Sequence, residues 1–299
     1  MKLLKCFSLF FCLAVLSAGF ASCGSDDDGD DVTLGEAPYE SVSGKYSVTS
    51  VSSKYQSIEL GASGNYIIEL NQNPAVCSST ANGLGKRSSF LHNLANTVST
   101  RAVNGYIIYG KYTKEGNVLF LENFGKLEII YEGDIIAGFK LTPNGESTVS
   151  LEVEKEEQLG NDALNNQLCR TWNIISIREA DYENGKLIDD DTMTPENPYY
   201  TNEDGEIEEV TDFPVQVLFS KAGTYLVYYK DGTVDMAKWK WRNKAEKTVN
   251  YGWGDDWEDD EWFTLSFSGK RMTVIDDFTD KEDGITYRFY SETILEAAN

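Results

Sequence analysis

From Val42 onward the chain alternates apolar and polar positions with a period of two. "VSLEVE" at 149–154 places Val149, Leu151 and Val153 on one side. "WFTLSFS" does the same with Phe263, Leu265 and Phe267, and "ITYRFY" with Ile285, Tyr287 and Phe289. "KWKWR" sets Trp239 and Trp241 against Lys238, Lys240 and Arg242. Successive side chains of a strand point to opposite faces, so this pattern predicts antiparallel strands with one face on a core and one on water. Turn signals separate the runs: "NGE" at 144–146, "DG" at 231–232, "SGK" at 268–270 and "EDG" at 282–284. Short strands at regular spacing predict an all-β chain of barrels or sandwiches.

Two interruptions have a different period. "NDALNNQLCRTW" offers Asn161 or Asp162 as an N-cap, and Leu164 and Leu168 lie four apart. That spacing predicts a short helix, placed to plug one end of a barrel. The closing "SETILEAAN" reads as a further helical turn. Two long polar insertions, 71–104 (relatively basic) and 181–213 (acidic), read as loops with disordered centres.

The strand pattern also repeats. "SGKYSVTSV" at 43–51 parallels "CRTWNIISI" at 169–177, and "IELGASGNYII" at 58–68 parallels "VLFSKAGTYLV" at 217–227. Gly64-Asn65-Tyr66 then stands in register with Gly223-Thr224-Tyr225, and "YGKY" at 109–112 with "AKWKW" at 237–241. The repeat predicts two similar domains, 42–155 and 160–296, each long enough for a small closed sheet.

The chain of 299 residues is aromatic-rich and carries a formal charge of −23. Such a surface repels polyphosphate, which argues against nucleic-acid binding. The first 22 residues break from this composition. Lys2 and Lys5 precede an apolar run from Leu9 to Phe20, too short for a comfortable membrane span, followed by small Ala21 and Ser22. This is the pattern of a secretory signal, 1–22.

"FASC" at 20–23 resembles the lipobox of bacterial lipoproteins, although Phe20 stands where leucine is usual. The resemblance implies that Cys23 is acylated and becomes the first mature residue. Several acyl chains make anchoring stable, each buried methylene contributing about 0.8 kcal/mol. "GSDDDGDD" follows, opening an acidic tether over 23–41. It resembles the export signal of surface lipoproteins in Bacteroides-type bacteria, which implies the outer face of the outer membrane. The "LCRTWNIISI" start, the Gly-Thr-Tyr strand and the tryptophan-bearing strand look like the lipocalin-like domains of such lipoproteins. The resemblance covers about 165–295 well and 42–155 loosely. It implies two antiparallel, calycin-type β-barrel domains in tandem.

No catalytic constellation emerges. His92 is the single histidine and no CxxC pair accompanies it, so a triad or a zinc site is not expected, nor is a cofactor. Cys6 and Cys12 leave with the signal. Cys77 and Cys169 remain and are expected to stay unpaired, Cys169 serving as buried packing beside Trp172. The chemistry that remains is aromatic. "NYGWGDDWEDDEW" at 250–262 sets Trp253, Trp257 and Trp262 among six acids. Trp253, Trp257, Trp239, Trp241 and Tyr225 are the candidate ligand-binding residues.

Three readings follow. The first is a non-catalytic lipoprotein enclosing a small apolar or amphipathic ligand in a barrel. The second is a carbohydrate-binding accessory with exposed tryptophans. The third is an interaction module with solid barrels that contacts another outer-membrane protein.

Overall fold

A computed structural model of the chain describes residues 39–71, 107–202, 205–252, 257, 262–282 and 284–298. Cys23 and the tether as far as residue 38, Cys77, His92 and Trp253 lie outside the described residues. The protein is all-β and contains two closed barrels.

The first barrel closes eight antiparallel strands in sequence order. They are β1 (Gly44–Val48), β2 (Tyr55–Leu60), β3 (Asn65–Leu70), β4 (Ile107–Glu115), β5 (Val118–Leu121), β6 (Gly125–Glu132), β7 (Ile135–Pro143) and β8 (Val149–Lys155). Strand β8 returns to pair with β1. Tyr46, Tyr66, Tyr112, Phe139, Leu141 and Leu151 fill the interior.

The second barrel follows a one-turn helix, α1 (Ala163–Leu168). Its strands are β9 (Thr171–Glu183), β13 (Pro214–Phe219), β14 (Thr224–Tyr229), β15 (Val234–Asn243), β16 (Thr248–Gly252), β17 (Trp262–Ser268), β18 (Arg271–Glu282) and β19 (Ile285–Ala297), with β19 pairing back onto β9. Between β9 and β13 the chain makes β10 (Lys186–Met193), which continues the β9 edge, and a small hairpin of β11 (Tyr199–Thr201) and β12 (Ile207–Glu209). Much of the 181–213 insertion, expected to be a loop with a disordered centre, is therefore ordered strand. The residues from 291 onward also differ from expectation. "SETILEA" completes β19 instead of forming a helical turn, because each residue has a partner on β18 or β9.

The internal repeat is visible down to single hydrogen bonds. Gly64 and Gly223 both take the left-handed backbone, φ +87° and +81°, at the β2–β3 and β13–β14 turns. Tyr112 donates its N–H to the Gly64 carbonyl at 2.7 Å, and Trp239 donates to that of Gly223 at 2.8 Å. At the start of each barrel an aromatic reaches back four residues. The Tyr46 hydroxyl donates to the Val42 carbonyl and the Trp172 indole N–H to that of Leu168, each at 2.9 Å. Val42 sits in a 3₁₀ turn (Glu40–Val42) and Leu168 in α1, and both are fully buried. A plug of one turn thus seals the same end of both barrels. In α1 the Asp162 carboxylate caps Asn165 N–H at 3.0 Å, and Lys244 pairs with Asp162. Those two contacts hold the Asp162 pKa below the usual carboxylate range.

The barrels meet along one outer face of each. Ile67 and Ile107 pack with Leu218, Leu226 and Val234, and the rings of Tyr109 and Tyr228 meet edge to face at 5.4 Å. Polar groups are sealed in the same seam. Glu59 is 5% exposed and accepts the Thr224 hydroxyl at 2.6 Å. Nearby, Glu69 accepts from the Lys45 ammonium at 3.0 Å and from the Ser57 hydroxyl at 2.6 Å. Burial disfavours charge on Glu59 and raises its pKa, against the Ser220 and Thr224 hydroxyls and Lys45, which lower it. Burial likewise opposes the charge on Lys45, but Glu69 and Glu59 outweigh it and raise the Lys45 pKa.

Candidate functional site

The second barrel is packed, not hollow. Tyr225 lies against Phe219 at 4.6 Å between ring centres, and Trp239 meets Phe219 edge to face at 5.6 Å. The Trp239 indole donates to the Ser220 carbonyl at 3.0 Å. Trp241 stands edge-on to Trp239 at 5.7 Å and donates to the Asn165 side-chain carbonyl at 2.8 Å, which ties α1 over the barrel end. The space left between Ile174, Phe219, Tyr225 and Leu295 is a void of about 10 Å³. That is room for about one water. Sequence reasoning placed a ligand beside Tyr225, Trp239 and Trp241; their own rings fill the space expected for it.

The helix end carries one further candidate, Cys169. It is a free thiol whose pKa burial pushes up to about 12. A thiol held protonated in this way is a packing group, not a nucleophile.

The tryptophans of the 250–262 segment are also engaged. The Lys240 ammonium stands 4.0 Å over the ring of Trp257, and the Arg242 guanidinium 3.8 Å over that of Trp262. The outward cations of the "KWKWR" strand therefore cover these rings by cation–π contact. A stacking face for a flat ligand is correspondingly reduced. Trp253 and the aspartates of this segment lie outside the described residues.

Strands β9, β10, β18 and β19 run on past the closed barrel as a four-stranded ribbon. Without a barrel core beneath them, these residues need another source of packing. One face supplies it with paired charges and rings. Arg178 grips Asp190 with two bonds of 2.7 and 2.8 Å, and Arg288 grips Asp277 with two of 2.7 Å. Arg288 also lies 5.1 Å from the Tyr182 ring centre, and Arg178 5.8 Å from that of Tyr290. Ala180 is buried under this lattice. On the other face Phe278 stacks on Phe289 at 5.5 Å. Tyr287, expected inside a barrel, is 40% exposed because its part of β19 lies in the ribbon.

On the barrel side of the ribbon, β10 and the β11–β12 hairpin enclose an open groove of about 470 Å³. The hairpin register explains its lining. Thr201 pairs with Ile207 and Tyr199 with Glu209, so Tyr199, Thr201 and Ile207 share one face. That face lines the groove together with Tyr200, with Asp191 and Thr192 of β10 and with Asn197. The alternate residues lock the hairpin. Glu208 accepts from the Tyr200 hydroxyl and the Asn202 amide, each at 2.7 Å, and those bonds lower its pKa. Thr201 N–H donates to Asp191 at 3.0 Å and fixes the hairpin to β10. Two apolar side chains remain open to solvent over the groove: Tyr199 at 42% and Ile207 at 76% exposure.

Sequence reasoning missed this site. Its only signals were "PENPYY" and "EDGEIEE", which read as loop. The alternation in "YYT" and "IEE" is only three residues long and gives no period to detect. Among the described residues, no group of three His, Cys, Asp or Glu side chains is arranged to hold a metal ion. No family model, curated protein or solved structure matches the chain.

Proposed function

We propose that this chain is a non-catalytic, lipid-anchored lipoprotein of the outer-membrane surface that binds its ligand outside the barrels, in the β10–β12 groove. The observation that carries the binding part is the contrast between two spaces. The interior void is about 10 Å³, whereas the groove is about 470 Å³ and is overhung by exposed Tyr199 and Ile207. Small-molecule sites usually occupy about 300–1,000 Å³. Exposed apolar side chains that gather over a cleft mark a contact surface more often than isolated ones do. In this reading the barrels are a solid scaffold, as lipocalin-like frames can be.

The anchor rests on the N-terminal sequence. "FASC" supplies the acylated Cys23, and "GSDDDGDD" a solvated tether that carries the acidic body clear of anionic headgroups. Metabolic labelling with a radioactive fatty acid tests it. The native chain is expected to take up label and to sediment with membranes, and Cys23→Ala to do neither. Equal label in the variant would refute the anchor.

A further inference from the structure

We infer that the β10–β12 groove takes neutral saccharide rings; this rests on reading the groove as the binding surface. A sugar ring has an apolar C–H face and a rim of hydroxyls. It therefore needs an aromatic or aliphatic wall beside mixed donors and acceptors, on a support that does not have to order itself on binding. The groove supplies each part. The Tyr199 ring and the Ile207 side chain form the apolar wall. The Thr192 and Thr201 hydroxyls and the Asn197 amide both donate and accept, and the Asp191 carboxylate accepts.

Hydrogen bonds to a carboxylate are about twice as strong as those between neutral groups, which suits Asp191 to orienting a sugar hydroxyl. It already accepts one bond, from Thr201 N–H. That bond stiffens its position.

The support is rigid for its size. Hydrogen bonds from Tyr200 and Asn202 to Glu208 lock the hairpin. Val210 N–H closes onto the Pro198 carbonyl at 2.7 Å, and Asn197 and Thr194 exchange backbone bonds of 3.0 and 3.1 Å. Charge narrows the ligand class. A chain of net −23 with a carboxylate in the groove repels uronates and sulfated sugars, so neutral sugars fit and anionic ones do not.

Native affinity electrophoresis of the detergent-extracted full chain tests the inference. The gels hold soluble xylan, mannan or glucan, with polygalacturonate as the anionic polymer. At least one neutral polymer should retard the chain and polygalacturonate should not. Tyr199→Ala should weaken the retardation roughly tenfold, the equivalent of about 1.4 kcal/mol, and Asp191→Asn should weaken it less. Tyr199 belongs to none of the hydrophobic core clusters, so its variant should melt as the native chain does.

Retardation that Tyr199→Ala leaves unchanged overturns the inference. So does stronger retardation by polygalacturonate than by any neutral polymer. The amphipathic dye bis-ANS separates the two remaining failures. If no neutral polymer retards the chain but Tyr199→Ala abolishes dye binding, the saccharide class falls and the groove stands as a binding surface. If neither probe responds to Tyr199→Ala, both fall.

Discussion

The two barrels share a frame and differ in what has been added to it. Each opens with a buried one-turn plug, an aromatic that bonds back four residues, and a left-handed glycine before a tyrosine strand. The residues filling these places are not the same: Tyr46 against Trp172, Val42 against Leu168, Asn65 against Thr224. What persists is the hydrogen-bond geometry, which a tyrosine hydroxyl and an indole N–H satisfy equally. The difference lies in strand length. β1 and β8 have 5 and 7 residues, whereas β9 and β19 each have 13. The surplus leaves the barrel, is stiffened by the Arg178–Asp190 and Arg288–Asp277 lattice, and carries the groove. A closed barrel is a finished core; the groove is added here by lengthening the strands that close it.

Three sets of substitutions test how far the likeness between the barrels extends. The largest effect is expected at the paired aromatics. Tyr46→Ala and Trp172→Ala each empty the same place in their barrel and should each cost about 3–5 kcal/mol by denaturant unfolding. A large loss in one barrel only would show that the shared geometry does not carry shared energetics.

The paired glycines come next. Alanine at Gly64 or Gly223 must adopt a left-handed backbone, at about 1–2 kcal/mol each. Gly64→Ala should cost more, because its new methyl would lie 3.0 Å from the Tyr39 ring and 3.2 Å from the Tyr112 carbonyl, while that of Gly223→Ala meets only the Trp239 carbonyl at 3.1 Å. Equal melting-temperature losses would remove this distinction.

The smallest effect concerns the seam between the barrels. Glu59 has a raised pKa in the folded chain. Its contribution to stability is therefore full below the ordinary glutamate pKa, about 4.3, and is lost as pH rises through its elevated folded value. Glu59→Gln should remove that dependence. The stability of the native chain relative to Glu59→Gln is expected to rise as pH falls from 8 to 5, read from urea midpoints. Parallel pH profiles would contradict a buried, charge-averse Glu59.

Much of the frame was legible because periodicity and turns are local signals. "NGE", "DG" and "SGK" fall at strand junctions, with Gly145, Gly232 and Gly269 at positive φ. Asp162 caps α1, one of the two caps the sequence offered. The repeat marked out equivalent strands, since Gly64 and Gly223 need the same backbone. The tryptophans were harder. Period two says which side Trp239 and Trp241 share, but whether that side is hollow depends on Phe219, Tyr225 and Leu295, brought in from other strands. The cations over Trp257 and Trp262 likewise come from β15, across the sheet. The groove was not legible at all, because β11 and β12 are too short for a pattern and β10 is mostly acidic. Its placement depends on the Thr201 N–H bond to Asp191, which joins the small hairpin to β10.

Hydrogen–deuterium exchange of the detergent-extracted full chain, with and without a retained neutral polysaccharide, shows where the ligand sits. Binding outside a solid scaffold predicts slowed exchange in peptides covering 186–209, with those of β13, β14 and β19 around the interior void unchanged. Protection centred on Ile174, Val217, Tyr225 and Leu295 instead would place the ligand inside the second barrel and contradict the account.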